Sequence, residues 1–164
     1  MEIIVAFKKS VKDDTEWYWK LAAKLVKFGT KSEFFHVETA IDDKWISANT
    51  SYGIEIHELK PINKKHYDYY KIEVPDLTID QKEKFWRYIN KQVGSGYDWK
   101  GIYLTQFIKL DWESESKWFC SEIVTKILQL LYVEDFLDKK PNKLSPGAVF
   151  EIINKIGEKI EIEK

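Results

Sequence analysis

The chain contains a single cysteine, Cys120, within the stretch KWFCSEIVTKIL. Apolar residues after it recur at helical spacing, which predicts that Cys120 lies at or within the first turn of a helix. Free backbone N–H groups and the helix dipole there stabilise a thiolate, lower the thiol pKa and can hold an oxyanion. The position suits a catalytic nucleophile. The alternative is core packing, because free cysteine is among the most buried residue types.

A cysteine nucleophile needs a base, usually histidine, and the chain has His36, His57 and His66. His36 lies within the predicted strand EFFHVETAI, where Glu38, two residues on, shares its face. A carboxylate in that position can fix the imidazole tautomer and support the imidazolium. The alternative is a half-buried strand with a satisfied histidine and a solvated glutamate. The other two histidines are predicted to lie at the surface.

The sequence lacks the residues that several other kinds of site require. One cysteine excludes an internal disulfide, a multi-thiolate zinc site and the cysteine pair that a deaminase H-x-E motif needs. The GSG at 94–96 lacks the Lys-Ser/Thr of a phosphate loop. No histidine or carboxylate spacing indicates a transition-metal site. We therefore expect no metal and no organic cofactor.

Charge and length limit the class of protein. The 26 basic and 27 acidic residues nearly cancel, and nothing resembles a nucleic-acid module, so no nucleic acid is expected as partner. The 164 residues suit a single domain, 1–164. No apolar run approaches the roughly 20 residues that span a membrane, and the first residues are not a signal peptide. With its lone cysteine, the protein is predicted to be cytoplasmic.

Local patterns predict an α+β fold, in which an antiparallel sheet of about four to six strands has helices segregated around it. Helical spacing and capping residues predict four helices and a short one within 95–110, the main ones at 13–28, 78–94, 119–133 and 145–157. Strands are predicted at 2–7, 33–41, 44–50, 52–59 and 67–75 and in the tail EKIEIEK. The four strands from 33 to 75 are predicted to form a meander, with Asp-Asp at 42–43 as a hairpin turn.

Residues at the helix ends sharpen these predictions. Asp13 or Asp14 is predicted to begin the first helix and Gly29 to end it, and its apolar residues at helical spacing are Trp17, Leu21, Leu25 and Phe28. The second helix has Thr78 or Asp80 as its cap. The last helix opens with Ser-Pro at 145–146, a favoured start.

Four stretches taken in order resemble the circularly permuted NlpC-type papain-like hydrolases, in which the histidine strand precedes the cysteine helix. They are also similar to a narrower family of small phage and prophage proteins. The stretches are FFHVETAIDDKWISANTSYGI (34–54), GSGYDWKGI (94–102), KWFCSEIV (117–124) and LSPGAVFEII (144–153). Each is short, and their order over most of the chain after residue 33 carries the resemblance. It implies a permuted papain-like domain, made by a phage in a bacterial host.

The resemblance implies a Cys-His-acid site, with Cys120 as nucleophile, His36 as general base and Glu38 as orienting acid. The cell-wall relatives usually take the third polar residue from the strand after the histidine. In this chain that position falls near Ser47 or Asn49, and Ser47 is a poor orienter of an imidazolium.

Two further residues are possible supports of the site. Tyr97 resembles the tyrosine upstream of the nucleophile, whose hydroxyl helps the oxyanion site in those hydrolases. Glu122, two residues into the predicted cysteine helix, would hydrogen-bond back to support the site or simply favour the helix N-terminus.

The implied activity is thiol-dependent hydrolysis of an amide through an acyl-enzyme, as in a cysteine peptidase or amidase. The substrate would be a peptide, a peptidoglycan fragment or an acylated molecule, since permuted members also resemble lipid-cleaving and thioesterase-like enzymes. The alternative is a non-catalytic binding or virion-associated protein on the same scaffold. Its recognition groove would then be lined by aromatic residues near the site, namely Tyr97, Trp99, Trp112, Trp118 and Phe119.

Overall fold

The structure is a computed structural model that describes residues 1–12, 15–49, 52–58, 65–97 and 117–161. In chain order its elements are β1 (Glu2–Lys8), α1 (Trp17–Thr30), β2 (His36–Ile41), β3 (Lys44–Asn49), β4 (Gly53–Glu58), β5 (Tyr67–Glu73), α2 (Ile79–Gln92), β6 (Gly96–Tyr97), β7 (Lys117–Trp118), α3 (Cys120–Leu130), α4 (Glu134–Leu137), a 3-10 turn (Pro141–Lys143), α5 (Pro146–Ile156) and β8 (Glu158–Ile160). Within this part of the chain, no helix is long and apolar enough to cross a bilayer.

Six antiparallel strands form the main sheet in the order β4-β3-β2-β1-β5-β8, which confirms the predicted α+β class. Of the predicted four-strand meander, β2, β3 and β4 pair in order as predicted, but the position of β5 is wrong, because β5 pairs with β1 rather than with β4. Val5, Ala6 and Phe7 of β1 are fully buried, so both faces of this strand are covered. A strand that is apolar on both faces is most stable at the centre of a sheet, where both faces are shielded from water. The strand β1 lies there.

The sheet has two differently covered faces. On one face Val5, Phe7 and Val37 join the main core with residues of the helices α2, α3 and α5, such as Ile89, Ile123, Ile127, Val149 and Ile153. The opposite face carries a smaller cluster of Ala6, Ala40, Trp45 and Tyr69. Each fully buried apolar side chain of this size contributes about 1.5–3 kcal/mol, so the larger cluster holds the helices on the sheet.

Several predicted turns and helix starts are confirmed. Asp42 and Asp43 both have positive φ, as the two-residue turn of a β2–β3 hairpin requires. Thr78 caps α2 and exchanges hydrogen bonds with Gln81 in a capping box. Ser145 caps α5, where its hydroxyl accepts a hydrogen bond from the N–H of Ala148.

Helix α1 differs from its prediction at both ends and in its orientation. The predicted start at residues 13–14 is wrong, because Glu16 is the N-cap and Trp17 the first helical residue; residues 13–14 themselves lie outside the described part of the chain. The helix continues past Gly29 and ends at Lys31, whose φ of 50° is left-handed. The spacing of apolar residues correctly predicts a helix, but these side chains face outward: Trp17, Leu21, Leu25 and Phe28 are all exposed. Among the α1 side chains that the structure describes, Ala23, on another side of the helix, is buried.

A short parallel ladder leads the chain to the cysteine helix. Tyr97 of β6 pairs with Trp118 of β7, two residues before Cys120. The strand β4 holds β6 in place, because the N–H of Ile54 donates to the carbonyl of Ser95 at 3.2 Å. The helix predicted within 95–110 falls mostly on residues 98–116, which lie outside the described ranges.

Candidate active site

Cys120 is the first residue of α3, as predicted, and it is buried. The preceding residue, Phe119, is extended, so the chain turns sharply into the helix at the cysteine. Glu122 closes this turn, since its Oε2 accepts a hydrogen bond from the backbone N–H of Phe119 at 3.4 Å. The carboxylate of Glu122 thus lies in the first turn of α3, where negative charge is favourable.

Strand β2 presents His36 and Glu38 on one face, and their side chains meet. The Nε2 of His36 lies 3.0 Å from the Oε1 of Glu38. Both side chains are mostly buried, with exposed fractions of 15% and 16%. Their neighbours in β1 are Lys8, paired with His36, and Ala6, paired with Glu38. The strand itself therefore supplies the histidine–carboxylate pair that the HVE pattern predicts.

The long-range contact is between β2 and the start of α3, where the Cys120 thiol hydrogen-bonds the His36 imidazole. Burial opposes the charged form of each group, but their mutual attraction prevails. The charge and hydrogen bond of Cys120, together with those of Glu38, raise the pKa of His36 to about 10. The same contact with His36 lowers the pKa of Cys120, aided by hydrogen bonds from the backbone of Val37 and Ser121. Both shifts favour the thiolate–imidazolium form of the pair.

The two ring nitrogens of His36 have separate roles. Nε2 pairs with Glu38, which leaves Nδ1 as the nitrogen available to a second partner such as the thiol. In the imidazolium form both nitrogens donate, one to the carboxylate and one to the thiolate. His36 thus bridges the acid and the nucleophile.

Tyr67 extends this chain of contacts and was not predicted as a site residue. Its hydroxyl donates to Glu38 Oε1 at 3.1 Å. Burial, with the nearby negative charge of Glu38, raises the pKa of Tyr67, so its hydroxyl stays protonated and remains a donor. Burial raises the pKa of the Glu38 carboxyl, whereas the hydrogen bond and charge of His36 lower it. The net effect is a lowered pKa. Glu38 is therefore ionised at neutral pH.

Lys8 is the second unpredicted residue beside the acid. Its ammonium lies 5.4 Å from the centre of the Tyr67 ring, and its charge helps to lower the pKa of Glu38. Tyr67 and His36 are both register partners of Lys8, on opposite sides of β1. Only the position of β1 between β2 and β5 brings these three side chains together. No sequence signal indicated that strand order.

The other residues predicted near the site, Ser47, Asn49 and Tyr97, make no described contact with the His36 imidazole. Ser47 is buried in β3 opposite Glu55, and among the described residues no hydrogen bond joins it to His36. Asn49, further along β3, hydrogen-bonds Glu55 and accepts from the N–H of Tyr52 at 2.8 Å. The acid partner of the imidazole is therefore Glu38. Tyr97 has its backbone beside Trp118 in the β6–β7 ladder, while its side chain lies outside the described part.

The remaining histidines have partners of their own. His57 is exposed, as predicted, and its Nε2 lies 3.3 Å from Glu55. The surface prediction for His66 is wrong, because its residue is buried and its Nδ1 lies 2.7 Å from the Ser10 hydroxyl. The sequence around it, NKKHYDYY, is polar, but the backbone N–H of Lys9 also bonds to the His66 carbonyl and draws it against the end of β1.

The aromatic residues proposed for a recognition groove are mostly unavailable for one in the described structure. Phe119 is buried. Trp118 is partly buried and donates its indole N–H to Gln92 at 3.1 Å. Trp99 and Trp112 lie outside the described residues.

The assembled geometry is a cysteine thiol at a helix N-terminus, an imidazole beside it, and a carboxylate that orients the imidazole. Such a set can attack a carbonyl carbon, protonate a leaving group and activate water. Across the described ranges, no three His, Cys, Asp or Glu side chains gather as metal ligands. The sequence matches no protein-family model and no curated protein.

Proposed function

We propose that this chain is a thiol-dependent hydrolase of permuted papain-like architecture, which cleaves an amide bond through an acyl-enzyme. The observation that carries the proposal is the Cys120–His36–Glu38 chain of contacts, in which two elements distant in sequence meet. A cysteine packed only as a small core side chain has no use for a charged imidazole next to it. Burying such a pair costs free energy, which structural packing alone does not recover.

Acylation begins with attack of the Cys120 thiolate on the substrate carbonyl carbon. A carbon–sulfur bond forms, and the carbonyl electrons move to oxygen, where backbone N–H groups at the start of α3 stabilise the charge. The His36 imidazolium then gives its proton to the leaving nitrogen. The carbon–nitrogen bond breaks, an amine departs and a thioester to Cys120 remains.

Deacylation uses the same groups in reverse. Neutral His36 takes a proton from water, whose oxygen attacks the thioester carbon. The carbon–sulfur bond breaks, the carboxylic acid leaves and the thiolate–imidazolium pair is restored. Glu38 holds the ring and stabilises its charge in both steps, as the acid of a catalytic triad does. Tyr67 and Lys8 keep Glu38 ionised and positioned.

The proposed substrates are peptides or peptidoglycan fragments, and the same chemistry serves acyl esters and thioesters. Cys120 is 2% exposed, whereas the side chains of His36 and Glu38 are 15% and 16% exposed. A substrate carbonyl would therefore approach from the imidazole side. The leaving group would lie over His36, within reach of its proton.

The test is covalent labelling of the folded protein by an electrophilic peptide probe, read out by mass spectrometry. We expect one adduct, on Cys120, that disappears in Cys120→Ser and falls strongly in His36→Ala. The matched control is His57→Ala, which removes an exposed histidine and should label like the unmodified protein. Competition with peptides, peptidoglycan fragments and acyl esters then ranks the substrate classes.

Two results would contradict the proposal. One is a thiol that the probe reaches only after unfolding. The other is equal labelling in the His36→Ala and His57→Ala variants. Either would favour a non-catalytic binding or virion-associated protein on this scaffold.

A further inference from the structure

Helix α1 presents an apolar stripe to solvent rather than to the core. Trp17 and Phe28, at its two ends, are 74% and 85% exposed, and Leu21 and Leu25 lie between them. At 100° per residue these four positions fall within a sector of about 80° of the helix. Exposed single apolar residues are common, but a continuous stripe with an aromatic residue at each end marks an interaction surface.

Within the helix the charged residues beside this stripe are lysines, and the exposed Glu16 precedes them at the N-cap. Residues 17–31 contain Lys20, Lys24, Lys27 and Lys31 and no Asp or Glu. Lys24 is exposed and lies in the sector next to the stripe, and Lys31, the exposed C-cap residue, follows the last turn of the helix. The chain as a whole has a net charge of −1, so the positive charge is a local property of this helix.

The helix is held to the sheet by its other side. Ala23 is buried, and the ammonium of Lys27 hydrogen-bonds the carbonyl of Lys9. The same ammonium lies 5.6 Å from the ring centre of Phe35, the residue before His36. The end of α1 therefore packs beside the segment that enters the candidate active site.

We propose that α1 docks the protein on the surface of an anionic phospholipid bilayer. Leu, Trp and Phe on one side, with Lys beside them, are the features of a helix that lies in the interface plane. Its apolar side would enter about 5–10 Å, and each lysine near the surface adds attraction to anionic headgroups. Charge complementarity favours a bilayer over a second copy of this chain, because the copy's α1 would bring the same positive charge. This inference rests on α1 alone and not on the chemistry of Cys120.

The experiment is sedimentation of the full chain with vesicles of phosphatidylcholine alone or mixed with phosphatidylglycerol. We expect binding to the mixed vesicles, weaker binding to pure phosphatidylcholine, and loss of binding as salt rises. The double variant Lys24→Gln/Lys31→Gln, which removes two positive charges, should bind mixed vesicles about thirtyfold less well. Trp17→Ser/Phe28→Ser should lose at least about tenfold.

Matched controls come from α2, where Ile79 is an exposed apolar residue and Lys91 an exposed lysine. Ile79→Ser/Lys91→Glu should bind as the unmodified protein does. Cys120→Ser should also bind unchanged, which separates this inference from the hydrolase proposal.

Three results would overturn the docking proposal. They are absence of binding to the mixed vesicles, equal binding by the α1 and α2 variants, and a dimer in light scattering that Trp17→Ser/Phe28→Ser converts to a monomer. The last would assign the stripe to a second copy of the chain.

Discussion

The Nε2 of His36 lies 3.0 Å from the Oε1 of Glu38, and one residue of strand separates them in sequence. This pairing is local, because side chains two apart on a strand point the same way. The contact of His36 with Cys120 is of another kind, since it joins β2 to the first residue of α3. The orienting half of the site thus comes from one strand, and the reactive half depends on how a helix packs.

The first prediction concerns the pH dependence of Cys120 alkylation by iodoacetamide. The lowered thiol pKa should place the inflection below the ordinary value of about 8.5. In His36→Ala the partner charge is gone while burial remains, so the inflection should move above the ordinary value. An unchanged inflection in that variant would contradict the ion pair.

The second prediction concerns Glu38 as the positioning acid. Glu38→Gln keeps the shape but removes the charge that supports the imidazolium, so the His36 pKa should fall from about 10. The labelling or turnover rate should fall about 10- to 100-fold, which corresponds to the loss of a charged hydrogen bond. Tyr67→Phe removes only a neutral donor to Glu38 and should cost less, about threefold to tenfold. NMR titration of the His36 ring separates these effects from simple loss of folding.

The third prediction concerns stability in acid. The folded-state pKa of Glu38 is lowered, so its contribution is present above the unfolded value of 4.5 and is lost as the pH falls through the folded value. Glu38→Gln should therefore lower the free energy of unfolding by about 2 kcal/mol at neutral pH. The difference between variant and unmodified protein should shrink below pH 4.5, as measured by urea denaturation. A difference that is constant with pH would contradict this assignment.

The fourth prediction concerns Gly53, at the start of β4. Its φ is +73°, and a Cβ there would lie 1.7 Å from the carbonyl oxygen of Ser95. Gly53→Ala should cost about 3 kcal/mol or more, because both the left-handed backbone and the clash with main chain are unfavourable. It should also disturb β6 and so reduce labelling of Cys120.

Gly94→Ala is the matched control for that variant. Its φ is +79°, but a Cβ there meets nothing within 4 Å. The cost should be the backbone strain alone, about 1–2 kcal/mol. Equal losses in the two variants, measured by thermal or urea unfolding, would show that contact with Ser95 is unimportant.

Sequence periodicity predicted the elements and the order β2–β3–β4, but not the position of β1 or the side of α1 that packs. The helical spacing after Cys120 correctly predicts where α3 begins, and alternation in HVETAI predicts that His36 and Glu38 share a face. The same kind of spacing in α1 predicts a helix but not which side packs. An apolar stripe indicates that a surface is covered by something, and it does not say whether that is the core or a partner.

The sequence by itself determined the relations that span a few residues: the helix that begins at Cys120, the His36–Glu38 face and the Asp-Asp turn. These depend on backbone geometry, which nearby residues control. Only the tertiary structure decided that β1 lies between β2 and β5. This strand order places Tyr67 where its hydroxyl reaches Glu38. The tertiary structure alone also decided the contact of His36 with Cys120 and the outward side of α1. Such relations depend on which surfaces bury one another, a competition among all elements that no local pattern records.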